Sequence, residues 1–478
     1  MQHFGKFYIG GAWVEPVNAT VMEVVNPATE LPFATVSLGS AEDVDRAVQA
    51  ARKAFPSFSK WSAQDRIDLF DRIVRTFESR EAEIMAGITQ ELGAPCSLKD
   101  QTRGTVAAFR DAASLLREYR FDTRIGDTIL RREPIGVCGL ITAWNYPVQM
   151  LALKLASAFA AGCTVVAKPS EYTPIGAIRF AEVLHEAGVP PGAFNLVIGD
   201  GPHVGSAICR HPDVAMVSFT GSTRAGILVA EAAAPTVKRV CQELGGKSAN
   251  VILPDADLSA AARWNVARGF FNTSQSCHAP TRILVQKDQQ EALVALLAEE
   301  TAKLRVGDPN DPSTTTGPVV NKAQFERVQS YIRSGIEQGA RLVCGGPGRP
   351  QGIDRGYFVQ PTIFCDVSPQ MRIAQEEIFG PVLAVIPYST EEEAVEIANG
   401  TPYGLGAYVF TSDAARARTV CEKLQAGRVF YNGHPGNMTA PMGGYKQSGN
   451  GRELGVFGLE EFLETKAIFG FAEPAAAA

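Results

Sequence analysis

GVCGLITAWNYPVQMLALKLASAFAAGCTVVAKPSE, Gly136 to Glu171, reads as strand, helix, strand. GVCGLIT (Gly136–Thr142) is a short apolar run of buried-strand length. Pro147 suits the first position of a helix, where its missing N–H costs nothing. TVVAKP (Thr164–Pro169) is a second buried strand. Strands of continuous apolar character joined by helices imply a parallel sheet covered on both faces. In such sheets ligands bind beyond the carboxyl ends of the strands.

The alternation continues downstream. Pro174 opens a helix to about Ala187, Phe194–Gly199 is a strand, and Val204–Arg210 a short helix. Ala215–Thr220 is a strand, Ser222–Ala233 a helix, Val237–Leu244 a strand. After Gly245-Gly246 a second α/β stretch begins. Its strands are Ala249–Leu253 and Thr281–Val285, its helices Leu258–Phe270 and Gln289–Leu304, and further pairs run to Gly427. Gly345–Gly356 is a Gly/Pro-rich surface loop.

Upstream the texture differs. Phe4–Val36 predicts short strands. Ser40-Ala-Glu-Asp43 has the form of a capping box, followed by Val44, Ala47, Val48, Ala51 and Phe55 at helical spacing. A helix from near Ser62 carries Ile67, Phe70, Ile73, Val74 and Phe77 on one face, and another runs from about Leu98 to Tyr119. Phe121–Arg132, with Gly126 at its middle, predicts a protruding hairpin, an arm for a partner subunit. Phe462–Phe471 reads as a closing strand, and the low-complexity end Ala472–Ala478 is expected to be disordered.

The 478 residues, 45% of them hydrophobic, exceed what one core organises, so two or three domains are expected. A net charge of −6 without a basic run argues against nucleic acid and anionic membranes as partners. The longest mainly apolar run, Leu155–Ala167, is too short to span a bilayer. The opening MQHFGKFYIGGAW has no signal-peptide pattern. Nine singly scattered cysteines fit a reducing compartment, and a cytoplasmic protein is expected. With no CxxC, no HExxH and six scattered histidines, no metal site is expected.

Several residues stand where chemistry could occur. No GxGxxG follows a strand; GDGPHVG (Gly199–Gly205) and GNGRELG (Gly449–Gly455) each have the last glycine one place late. FTGSTRAG ends a strand with Gly221 for a tight turn and Ser222 as helix N-cap, so free N–H groups would face an anion. In KPSE, Lys168 could bond a sugar hydroxyl; Glu171 could accept from ribose hydroxyls and would repel a 2′-phosphate. A solvated loop is the plainer reading. Cys277 lies in NTSQSCHAPTR (Asn272–Arg282); any single cysteine is more often a small buried hydrophobe than a nucleophile. His278 is its neighbour, but neighbours in an extended chain point to opposite sides, so His278 is read as lining and not as a base. Glu243 ends a strand just before a glycine pair that allows close backbone approach. Asn145 lies at a strand-to-helix turn, where its amide could donate to an oxyanion or cap the helix.

Taken in order, AWNYP, AGCTVVAKPSEYTP, FTGSTRAG, ELGGKSAN, SQSCHAPTR, EEIFGPV and PMGGYKQSGNGRE resemble the motif series of the NAD(P)-dependent aldehyde dehydrogenase superfamily, from about Phe7 to Lys466. The resemblance implies a Rossmann-like coenzyme domain (1–120 and 136–245), an α/β catalytic domain (246–447), and a small β oligomerisation element with the C-terminal tail (121–135 and 448–478). It implies a homodimer or homotetramer. It assigns Cys277 as nucleophile, Asn145 with the Cys277 N–H as oxyanion donors, and Glu243 as general base. It places Ile141, Thr142, Trp144, Lys168, Ser170, Glu171, Gly201, Gly221, Ser222, Leu244, Glu377 and Phe379 around NAD, with NADP less favoured. Glu243 implies a free acid as product, since members that acylate coenzyme A usually lack that carboxylate. Glu464 matches a second carboxylate, a candidate proton relay.

Tyr146, Met150, Leu153, Ser276, His278 and the Gly433–Met438 segment are expected to line the aldehyde tunnel. Ala143, Ser274 and Met442 depart from the common pattern, where Pro, Gly and Phe are frequent. No Trp stands near the C-terminal pocket segment to cage a quaternary ammonium, and no clear arginine awaits a second carboxylate. A medium-sized aliphatic or aromatic aldehyde is therefore the expected substrate. The alternatives are an acyl-CoA-forming or dicarboxylic-semialdehyde dehydrogenase, or a non-enzymatic nucleotide-binding relative.

Overall fold

In a computed structural model, residues 1–18 and 20–471 are described. The expected disorder of Ala472–Ala478 lies outside these residues. The opening unit forms as read: Val137–Ile141 and Thr164–Lys168 pair in parallel, joined by the helix Pro147–Ala161. That helix ends at Gly162, whose φ of +93° only glycine adopts cheaply.

These strands sit at the centre of an eight-stranded sheet. Its order is Gly449–Asn450, Arg239–Glu243, Met216–Thr220, Val137–Ile141, Thr164–Lys168, Phe194–Leu196, Phe7–Ile9, Ala12–Val14. The five inner strands are parallel, and antiparallel pairs close both edges. From Val137–Ile141 the chain first builds towards one edge, then returns to add Met216–Thr220 on the other side. This makes a topological switch point, where a crevice opens beyond the strand ends. The Phe194–Gly199 strand is shorter than expected, and the helix after it begins as a wide π-type turn, Gly201–Gly205.

A seven-stranded sheet follows, ordered Arg341–Cys344, Thr362–Cys365, Val382–Tyr388, Arg282–Gln286, Ala249–Ile252, Gly406–Phe410, Arg428–Tyr431; only Arg341–Cys344 is antiparallel. A three-stranded sheet joins the hairpin Asp122–Ile125/Thr128–Pro134 to Leu463–Ile468. A further small sheet is made by Gln2–Phe4, Leu31–Leu38 and Thr20–Asn26.

The helical lead-in covers one face of the first sheet. Ser40 and Ser62 both form full capping boxes, with Asp43 and Asp65 returning the bond. Val44, Ala47, Val48 and Ala51 are buried, as are Ile67, Phe70, Ile73, Val74 and Phe77. No helix among the described residues is long and apolar enough to cross a membrane.

Candidate active site

The carboxyl edge of the first sheet meets the amino edge of the second. Asn145 and Gly221 follow first-sheet strands, and Glu243 ends one. Gly246, Cys277 and Glu377 all precede second-sheet strands. Residues far apart in sequence thus converge on one crevice.

Two close approaches fix that junction. A Cβ on Gly246 would stand 2.3 Å from the Cys277 carbonyl oxygen, and one on Gly245 2.5 Å from Glu377 Oε2. The Gly246 N–H donates to Glu377 Oε1 at 2.9 Å. The glycine pair thereby holds the thiol loop on one side and a carboxylate on the other.

The thiol loop is held in an unusual conformation. Asn272, Thr273 and Ser274 have φ of 51°, 58° and 56°, three successive non-glycine residues in the left-handed region. Side-chain bonds hold this geometry: Thr273 Oγ1 donates to Gly317 O at 3.2 Å, Val320 N to Gln275 Oε1 at 2.9 Å, and Ser274 Oγ to Gly269 O. Asn145 is tied to the same loop. Its Nδ2 donates to Gln275 O at 2.9 Å, and its carbonyl accepts from Gln101 Nε2 and Asn272 Nδ2, both at 3.1 Å. An amide carries two N–H donors, so one remains for an oxyanion.

Cys277 opens to the crevice but is otherwise enclosed. Burial first, then the carboxylates of Glu377 and Glu243, push its thiol well above the usual range. Glu243 is buried, and neither carboxylate oxygen has a hydrogen-bond partner among the described residues. Burial, then the charge of Glu453, raise its pKa well above the usual carboxylate range. A buried carboxyl kept short of partners is poised to take a proton. Gly443 makes room for it: a Cβ there would lie 2.9 Å from Glu243 Oε1.

The second carboxylate near Glu243 is Glu453, not Glu464. Glu464 is 58% exposed on the closing strand and pairs with Arg239 at 3.1 Å. Glu453 forms a buried ion pair with Lys154, which also donates to Ser218 Oγ at 2.9 Å. Sequence reasoning passed over both members. The available signal was Lys154, a lone charge in the apolar helix run MLALKLASAFAA.

His278 lies closer to the thiol than an extended chain would put it. Its Nδ1 lies 4.0 Å from Cys277 Sγ, because residues 277–278 form a turn and not an extended segment. Burial, with Arg268 and Arg428 nearby, lowers its pKa to about 4, so near neutral pH it is an uncharged lining group. Ser276 Oγ bridges it to the Tyr146 hydroxyl, at 3.5 and 3.3 Å. Leu153 lies in the first core, against which Met438 also packs, and Met150 on the same helix is half-buried. A tryptophan does reach the C-terminal pocket segment. Trp264 lies where a Cβ on Gly433 would meet it at 2.6 Å, and its ring packs 4.8 Å from that of Tyr408.

Most residues assigned to the coenzyme lie along the first sheet's carboxyl edge; Glu377 and Phe379 come from the segment leading into the second-sheet strand Val382–Tyr388. Thr142 is buried with its hydroxyl unpartnered, beside Ile141 at the strand end. Trp144 meets Phe379 edge-to-face at 5.2 Å, and Phe379 has a φ of 62°. Lys168 Nζ holds Gly199 O at 2.6 Å and Glu171 Oε2 at 3.2 Å, with Ser170 buried between them in sequence. Gly201 is exposed, with nothing within 4 Å of a would-be Cβ. Ser222 caps Thr223–Ala233, and the Gly221 N–H donates to Glu243 O at 3.1 Å. Gly226 allows Leu244 against that helix, 2.6 Å from a would-be Cβ. Burial raises Glu377 to a pKa of about 7. An orphaned hydroxyl, a lysine–glutamate pair and an open helix start together fit an adenine dinucleotide.

Two mainly parallel sheets with a thiol loop at their junction define an α/β protein with its crevice between the sheets. The Aldehyde dehydrogenase family matches residues 13–468. A 3-succinoylsemialdehyde-pyridine dehydrogenase from a Pseudomonas species is 52% identical, over 98% of this chain and 99% of that protein. A crystal structure of an aldehyde dehydrogenase C mutant from Pseudomonas syringae, complexed with NAD+ and octanal, superposes with a TM-score of 0.97 at 52% identity, covering 98% of each chain. A Mycobacterium tuberculosis aldehyde dehydrogenase complexed with NAD+ gives 0.96 at 40% identity, covering 99% of this chain and all of the other. The chain belongs to the aldehyde dehydrogenase family and is an oxidoreductase acting on aldehydes.

Proposed function

We propose that Cys277, Asn145 and Glu243 carry out the oxidation of a medium-sized aliphatic or aromatic aldehyde to its free acid. The enzyme uses NAD, which accepts hydride from the aldehyde carbon when bound. The observation that carries the assignment is the partnerless, buried carboxylate of Glu243 beside a thiol whose loop is tied to Asn145.

Cys277 Sγ forms a bond to the aldehyde carbon, and its proton passes to Glu243. The carbonyl oxygen becomes an oxyanion, met by Asn145 Nδ2 and the Cys277 N–H. After oxidation the acyl group is held as a thioester on Sγ. Glu243 releases the thiol proton to solvent, then as a carboxylate removes a proton from the attacking water, and the acid leaves with the thiolate restored. Trp144, Lys168, Ser170, Glu171, Gly221 and Ser222 position the coenzyme along the sheet edge, and Glu377 takes the nicotinamide-side ribose. The Glu171 carboxylate favours NAD over NADP. The first sheet with its helices, 1–120 and 136–245, is the coenzyme domain, and 246–447 the catalytic domain.

The molecule is a cytoplasmic homodimer or homotetramer. The hairpin 121–135 and the closing strand form a three-stranded sheet with free edges, and such edges invite pairing. Ile227, Leu228 and Val237 are exposed apolar side chains in the first domain, the kind of surface a second copy would cover.

The test is NADH formation from a panel of aldehydes, with and without coenzyme A. Turnover without coenzyme A supports hydrolysis by Glu243. Strict dependence on coenzyme A would overturn it in favour of acyl transfer.

A further inference from the structure

Two arginines, Arg268 and Arg428, stand near His278 and Tyr408 without acidic partners among the described residues. Arg428 pairs in register with Gly406, and Phe430 with Tyr408. Cross-strand partners share a sheet face, and so do alternate residues, so all four lie on one face. That face meets His278. A Cβ on Gly406 would stand 3.5 Å from His278 Cβ, and the Tyr408 hydroxyl donates to His278 O at 2.8 Å. The Arg428 guanidinium lies 5.2 Å over the Phe430 ring and donates to Asn437 O at 3.1 Å.

Arg268 comes from a helix. It follows Trp264 by four residues on the helix Leu258–Gly269, so the two share a helix face. The Trp264 ring is 4.8 Å from Tyr408, whose ring stacks on Phe430 at 5.1 Å. The Arg268 guanidinium lies 4.8 Å over Phe271, six residues before the nucleophile. Both arginines are half-buried, and among the described residues no carboxylate lies within 4.0 Å of either. A half-enclosed cation without a counter-ion is costly to keep. Guanidinium is also the side chain best shaped to grip a carboxylate in the plane.

We propose that Arg268 and Arg428 form a carboxylate-binding mouth to the aldehyde pocket, so that the preferred substrate is a medium-chain aldehyde bearing a carboxylate at its far end. Trp264, Tyr408 and Phe430 supply an aromatic wall for the methylene chain between the two ends. The same cations disfavour a quaternary ammonium substrate, although Trp264 is at hand to cage one. This assignment rests on the reading of Cys277 and Glu243 as an aldehyde-oxidising pair.

The test compares kcat/KM for an unbranched alkanal and the ω-oxoalkanoate of equal carbon count. The wild-type enzyme is expected to favour the oxo acid by about tenfold or more, the scale of one charge-assisted hydrogen bond. Added salt is expected to erode that preference. R268Q and R428Q are each expected to lower the oxo-acid value far more than the alkanal value. A wild-type ratio at or below one, or a preference indifferent to salt, would overturn the proposal without any variant being needed. Equal losses on both substrates in the variants would do the same. If no aldehyde of either kind were oxidised, the underlying reading would fall, and this one with it.

Discussion

Gly246 and Cys277 meet backbone to backbone, so closely that a single added methyl group would lie 2.3 Å from the Cys277 carbonyl oxygen. The thiol loop is therefore seated on the strand leader of the second sheet, and the glycine is a condition of its position.

Gly246→Ala is expected to shift that loop and cut kcat/KM by about 100-fold or more, the usual cost of displacing a reacting group by about an ångström. Steady-state rates measured beside a melting curve separate this from unfolding. A folded variant within a few-fold of wild type would contradict the seating.

Gly245→Ala acts on the other carboxylate. Its Cβ would lie 2.5 Å from Glu377 Oε2. The expected result is a rise in the KM for NAD that outstrips any change in the KM for aldehyde. The reverse pattern would remove Glu377 from the coenzyme side.

The pH profile tests the neighbour of the base. Burial first, and then Glu453, raise Glu243. A general base works deprotonated, so the rate climbs as pH rises through that raised pKa. Glu453→Gln removes the raising charge and leaves Lys154, which favours the ionised base, without its ion-pair partner. The acid limb is expected to move to lower pH. Glu464→Gln, far out on the closing strand, is expected to leave that limb in place. A shift from the second and none from the first would reverse the assignment.

Asn145→Ala removes an oxyanion donor and the bond to Gln275 O together. A fall in kcat/KM of about 100- to 1000-fold is expected, typical for one such donor. A fall in aldehyde binding alone, with kcat intact, would assign Asn145 to loop support only.

The fold was largely legible because its signals are local. Ser40 and Ser62 sit directly before their helices with Asp three places on, and the apolar runs of the first sheet are of strand length. What stayed hidden depends on chain return. Glu453 reaches Glu243 only because residues 449–450 come back to pair with 242–243 at the sheet edge. Trp264, Arg268 and Arg428 meet the pocket through a helix face and a strand register that no linear spacing displays. His278 was read in an extended chain, and a turn brought its ring to the sulfur. The catalytic assignments came from motif order, and no local property singled out Cys277 among nine cysteines.

The most direct measurement is a rapid-mixing experiment on Glu243→Gln with NAD and an oxidisable aldehyde, followed by intact mass. One NADH per site in a burst, with an acyl adduct on Cys277 that hydrolyses slowly, is the expected result. Steady turnover at the wild-type rate, or a burst with no adduct on Cys277, would contradict the account.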